Sequence, residues 1–129
     1  MQVGKYFYFF RPMSHDSLGL YRIILESPET NVKSFDTKVK KSVEDLHHVF
    51  SSDYGPAKQL NPFPSIKNLS KGYIKWLYEW NLGKKNIKVG IGALLNGVEF
   101  YSVCWITDID LVAANNAKMR NRFNDKSTN

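Results

Sequence analysis

The chain has 129 residues, 43% apolar and 14% aromatic, and a net charge of +6. That length is one domain, long enough to bury a core without disulfides or metals, and a lone cysteine, Cys104, excludes an internal disulfide framework. No stretch approaches the roughly 18 apolar residues of a spanning helix, and MQVGKYFYFFRP lacks the apolar run and cleavage site of a secretion signal, so a cytoplasmic protein with no membrane segment is expected.

Residues 1–10 are aromatic and β-prone and read as a strand stopped by Arg11-Pro12. Residues 18–26 (LGLYRIILE) read as a second strand, ended by Ser27-Pro28. Residues 34–50 follow with helical spacing. Val39, Val43, Leu46 and Phe50 fall within about 60° of one another around a helix, and Asp36 is placed to cap its first turn. Residues 51–68 hold SSDYGP and NPFPS and read as a long loop, which in a compact domain has a task or is disordered.

Residues 70–82 (SKGYIKWLYEWNL) read as a second helix, with Ser70 as cap and Gly83 as stop. The hairpin 87–106 is the strongest local signal, because Asn96-Gly97 separates two apolar runs. If these two residues form the loop, Ala93 faces Phe100, Ile91 faces Ser102, Val89 faces Cys104 and Ile87 faces Ile106. On the other side Gly92 faces Tyr101, Gly90 faces Val103 and Lys88 faces Trp105. The bare glycines then leave room for large rings. Asp108 or Asp110 caps a final, patchy helix reaching about residue 123, and 124–129 read as a frayed tail. The expected fold is a single α+β domain over 1–123, an antiparallel sheet of about four strands with two to three helices packed on it.

Few residues carry recognisable chemistry. His47 and His48 lie on the first helix, with Glu44 four residues before His48. A zinc-binding helix needs a second histidine at that spacing, and the remaining histidine, His15, is in a loop. Cys104 sits mid-strand, away from any helix N-terminus or cation that would activate a thiol, and reads as a small buried hydrophobe. Asp108 and Asp110 share one side of a strand end, where carboxylates hold a metal or cap a helix; capping is the simpler account. GIGALLNG belongs to a hairpin and is no phosphate loop. These residues suggest no enzyme and no cofactor.

The charge is concentrated in residues 61–97, where six lysines face one acid, Glu79. Lys71, Lys75, Lys84, Lys85 and Lys88 lie near Tyr78 in this segment, and Lys118, Arg120 and Arg122 add a basic group near the C-terminus. Interleaved bases and rings suit single-stranded nucleic acid, but on a helix 70–82 the lysines face solvent and most rings face inward, Tyr78 excepted. The favoured expectation is a small binding protein of the immunity or inhibitor kind, with these residues meeting an acidic protein surface. Nucleic-acid binding is the alternative. A metal-dependent nuclease using Asp108, Asp110 and a histidine is the poorer one.

Overall fold

A computed structural model describes residues 1–15 and 19–110. The expected final helix, the frayed tail and the cluster of Lys118, Arg120 and Arg122 lie outside the described residues. In chain order, strands β1 (Gln2–Val3) and β2 (Tyr6–Phe7) form a small hairpin. Strands β3 (Phe9–His15), β4 (Gly19–Glu26) and β5 (Thr30–Asn31) follow. Helical turns then run without a break from Val32 to Tyr54, with α1 (Lys40–Tyr54) as the regular part. Strands β6 (Lys58–Gln59), β7 (Ile74–Asn81), β8 (Lys85–Ala93) and β9 (Glu99–Asp108) complete the fold.

Among the described residues, seven strands make one antiparallel sheet in the order β3-β4-β9-β8-β7-β6, with β5 beside the start of β9. This corrects the expectation of about four strands carrying two to three helices: the sheet is larger, and one long helix covers it. The N-terminal pair does join the later hairpin in one sheet, through β4 against β9.

The largest change is at 70–82, where Ile74–Asn81 form strand β7 rather than a second helix. Ile74, Trp76, Tyr78 and Trp80 alternate with Lys75, Leu77, Glu79 and Asn81, a period of two as well as a plausible helical arc. The β-prone Trp, Tyr and Ile side chains and the partner strand β8 decide between them. A bulge divides the alternating rings between the two faces of the sheet. Trp76 pairs with Gly90 and Tyr78 with Val89, so Leu77 is an extra residue, and it is buried in the core.

The first strand also differs. It breaks into β1 and β2, and β3 then passes straight through Arg11-Pro12. Pro12 has no N–H to give, and β3 is an outer strand, where a missing donor is tolerated.

The helix buries the expected stripe, Val39, Val43, Leu46 and Phe50, together with Phe35. Each fully buried side chain of this kind contributes about 1.5–3 kcal/mol, so the sheet beneath holds the helix more than its own propensity does. Asn31, not Asp36, caps the first turn, its Oδ1 accepting from the Ser34 N–H at 3.1 Å. The proline-containing segment after the helix packs back on the core. Phe63 tilts against Phe35 with centroids 6.0 Å apart, Asn61 Nδ2 donates to the Trp76 carbonyl at 2.7 Å, and Trp80 Nε1 donates to the Gly55 carbonyl at 2.9 Å.

The hairpin has the expected register, pair for pair, from Ile87–Ile106 to Ala93–Phe100. Its turn is different. Gly97 N–H donates to the Leu94 carbonyl at 3.0 Å, and φ is positive at Gly97 (73°) but at no non-glycine residue described. Asn96 therefore stays right-handed and caps the turn, its Oδ1 accepting from the N–H groups of Val98 and Glu99. The strands β8 and β9 lie at the centre of the sheet.

Gly90 and Gly92 are the tightest points of that centre. A Cβ at Gly90 would run into the Lys75 carbonyl and the Trp76 ring; one at Gly92 would meet the Tyr101 ring. The carbonyl is held by the sheet, while the half-buried Tyr101 ring can swing outward. Gly90→Ala is therefore expected to destabilise the fold by about 1–3 kcal/mol and Gly92→Ala by clearly less, read from urea unfolding midpoints. Equal costs at the two positions would contradict this packing.

Candidate functional site on the sheet face away from the helix

The sheet has two unlike faces. Toward the helix, the rows Ile23–Ile106–Ile87–Trp80 and Leu25–Cys104–Val89–Tyr78 run across neighbouring strands and form the core floor. On the far face, the row Arg11–Ile24–Trp105–Lys88–Glu79 crosses five strands, followed by Phe9–Glu26–Val103–Gly90–Trp76 and then Tyr101–Gly92–Ile74. This face carries rings and charges, and Trp76, Tyr101, Trp105, Arg22 and Lys88 on it are all half-buried.

At its centre Trp76 and Trp105 meet edge to face, 5.0 Å between centroids and 70° between planes. They stand on β7 and β9, with β8 between them. They meet because Gly90 puts no side chain in the gap. Arg22 lies over Trp105, its guanidinium carbon 4.3 Å from the ring centroid, and its Nε donates to Thr107 Oγ1 at 3.1 Å. Lys88 Nζ sits 5.9 Å from the Trp76 ring and 3.9 Å from Glu79 Oε2, which also accepts from Asn86 Nδ2 at 3.0 Å. Cations and rings are thus interlocked at this end.

The other end of the face is an acidic groove of about 690 Å³. Its lining includes Phe9, Phe10 and Tyr101, the carboxylates of Glu26, Glu29 and Glu99, and one cation, Arg11. Arg11 Nη2 donates to Glu26 Oε1 at 2.9 Å, and the Arg11 side chain is 63% exposed. Burial, then Glu26, push the Tyr101 hydroxyl pKa upward, Arg11 opposes them, and Glu29 adds a further push.

The sequence-selected residues do not gather into one patch. Lys71 is exposed ahead of β7, against Gly97 of the β8–β9 turn, while Lys84 and Lys85 are exposed at the opposite end of β7. The eight-residue strand separates the two groups by about 26 Å. Lys75 is half-buried and paired with Ile91, and Lys88 alone of the five reaches the far-face rings. Tyr78 faces the helix, stacked on His47 at 3.8 Å and 6°, and is not set among the lysines. Arg22, Trp105, Phe9 and the three glutamates were not singled out from the sequence. The alternation of Arg22, Ile24 and Glu26 along β4 was the available signal.

His47 and Cys104 are packed into the fold. His47 packs between Tyr78 and Trp80, and burial, then His48, lower its pKa. Cys104 is fully buried, and burial pushes its thiol far above the ordinary range, so it is protonated at neutral pH. Among the described residues, no three of His, Cys, Asp and Glu come together as a metal set, so Asp108 and Asp110 find no histidine there. No helix among the described residues is long and apolar enough to cross a membrane.

Comparison with protein-family models, with curated proteins and with solved structures gives no match.

One buried polar chain links the helix to the sheet. The Tyr8 hydroxyl bonds Ser42 Oγ at 2.9 Å, and Ser42 Oγ bonds Ser102 Oγ at 2.5 Å, with all three residues buried. Burial is the main reason that the Tyr8 pKa is pushed up to about 12 from 10.0, against the hydrogen bond from Ser42. The raised value stabilises the fold below pH 10. Above that, the unfolded chain ionises first, and the contribution is lost as pH rises through 12. Tyr8→Phe is expected to be less stable at pH 7 by about 1 kcal/mol, for the lost hydrogen bond, yet to lose less stability than the parent between pH 10 and 12. Parallel unfolding curves for parent and variant across that range would contradict it.

Proposed function

We propose that this protein is a non-enzymatic binding module that captures another protein and neutralises or modulates it, as an immunity protein or inhibitor does. One observation carries the reading: Phe7, at the end of β2, and Phe9, at the start of the longer outer strand β3, are each 68% exposed, and Phe10, on the other face of β3, is 46% exposed. Aromatic anchors of this kind dominate protein interfaces, and a contiguous exposed set costs solubility unless it is used. The opposite outer strand, β6, is two polar residues long.

Pro12 and the register shift after Met13 blunt β3 as a template for a further strand. Docking by side chains is therefore favoured over strand addition. The exposed lysines elsewhere on the chain, Lys71, Lys84 and Lys85, contribute to its net positive charge, which suits an acidic partner and speeds its capture. A cytoplasmic location fits the lone reduced cysteine.

Single-stranded nucleic acid is the second reading, favoured by Trp76, Trp105, Arg22 and Lys88 on one face. Against it, Arg22 is already bound to Thr107 and Trp105, and Lys88 lies beside Glu79.

Phe9→Glu with Phe10→Ser replaces exposed side chains only, so the melting temperature should move by no more than a few degrees. In pull-downs from the native host, the parent is expected to retain a stoichiometric partner that this double variant loses. Retention of the partner by the variant sinks the β3 interface. Oligonucleotide affinity that falls steeply with salt and with Lys88→Ala would favour the second reading instead.

A further inference from the structure

The acidic groove at the Tyr101 end of the far face bears a charge of the opposite sign to the whole chain. Three carboxylates, those of Glu26, Glu29 and Glu99, face one guanidinium in a protein of net charge +6. Phe9 and Tyr101, both on the far face, line the same groove. Ring faces and carboxylates together select one kind of guest, a cation on an apolar stem: the rings attract it through their quadrupoles and the carboxylates through charge.

We propose that this groove receives an arginine or lysine side chain from the surface of the partner protein. The inference rests on the protein-binding reading above and names the anchor that the partner supplies. The chain already shows the contact in miniature. Arg11 donates to Glu26 from the rim at 2.9 Å, largely in solvent, where an ion pair is worth little and yields readily to a second cation. Glu99 Oε1 accepts from Asn96 Nδ2 at 2.9 Å, which fixes its carboxylate at the groove wall with a second oxygen still available. Glu29 is exposed at the adjoining rim.

The arrangement also reconciles the two charge scales of the molecule. The outlying lysines steer an acidic partner surface over tens of ångströms at low salt. The groove then accepts a basic residue within that surface. A partner of uniform acidity meets repulsion at the groove, so the pair of signs confers discrimination.

The test uses the full chain labelled with 15N and titrated with a nonapeptide of alternating arginine and serine. Saturable shifts are expected at the backbone amides of Glu26, Glu99 and Tyr101. Binding should weaken at least tenfold in the triple variant Glu26→Gln, Glu29→Gln, Glu99→Gln, whose dispersed spectrum reports an intact fold. A glutamate–serine nonapeptide and an oligothymidylate should leave these amides unmoved. The proposal is overturned by no saturable shift at the groove, by equal binding in the triple variant, or by equal shifts with the acidic peptide or the oligothymidylate. If the arginine peptide fails while Phe9→Glu with Phe10→Ser still loses the partner, the cation groove is wrong and the protein-binding reading stands. If the peptide binds the groove while that variant keeps its partner, the groove stands as a cation site and the β3 interface falls.

Discussion

Trp76 on β7 and Trp105 on β9 touch across the strand that separates them, because Gly90 leaves the space between them empty. A side chain there would strike the Lys75 carbonyl and press on the Trp76 ring. Gly92 does the same for Tyr101 one row further on. These two absences shape the far face. They let half-buried rings lie across the middle of the sheet, and they leave Val103 and Ile24 buried although no described helix packs on that side. The helix face obeys an ordinary rule, apolar rows under an apolar stripe. The far face obeys a different one, in which missing Cβ atoms are filled by rings from neighbouring strands.

The division of charge follows from this layer. Arg22 and Lys88 gather over the tryptophans, where rings and backbone hold them, and Glu26, Glu29 and Glu99 gather around Tyr101 at the other end. Exposed aromatics then cluster at the start of β3, beside the acidic end. The proposed binding role draws on that adjacency of uncovered rings and unlike charges, since interface anchors work where apolar area and complementary charge meet.

Much of the centre was legible in the sequence. Asn96-Gly97 fixed every pair of the β8–β9 hairpin, although the turn itself keeps Asn96 right-handed and gives the positive φ to Gly97 alone. The stripe Val39, Val43, Leu46 and Phe50 was legible too, because it packs on one side of a single helix. Strand β7 was not. Its aromatic alternation also fits a helix with a wide apolar arc, and the extra residue at Leu77 sends Trp76 to one face and Tyr78 and Trp80 to the other, so no single face of a regular strand stands out in the sequence. That misassignment hid the far face as well. With 70–82 helical, Trp76 cannot reach Trp105, Tyr78 stands among lysines rather than under His47, and the lysines form one side of one cylinder. The extended strand instead sends Lys71 and the Lys84–Lys85 pair to opposite ends. The groove was illegible for a further reason: its lining comes from β3, the end of β4 and the β4–β5 connection, the β8–β9 turn and the start of β9, which are far apart in the chain.

The contact that Gly90 permits is open to direct observation. In nuclear Overhauser spectra of the intact chain, the indole protons of Trp76 should show cross-peaks to those of Trp105, and Trp105 should show them to Arg22. That is the result expected of a two-faced sheet with rings laid across its glycines. Cross-peaks from Trp76 to Tyr73 and Trp80 at helical spacing, with none to Trp105, would contradict the account, because β7 would then be a helix and the far face would not exist.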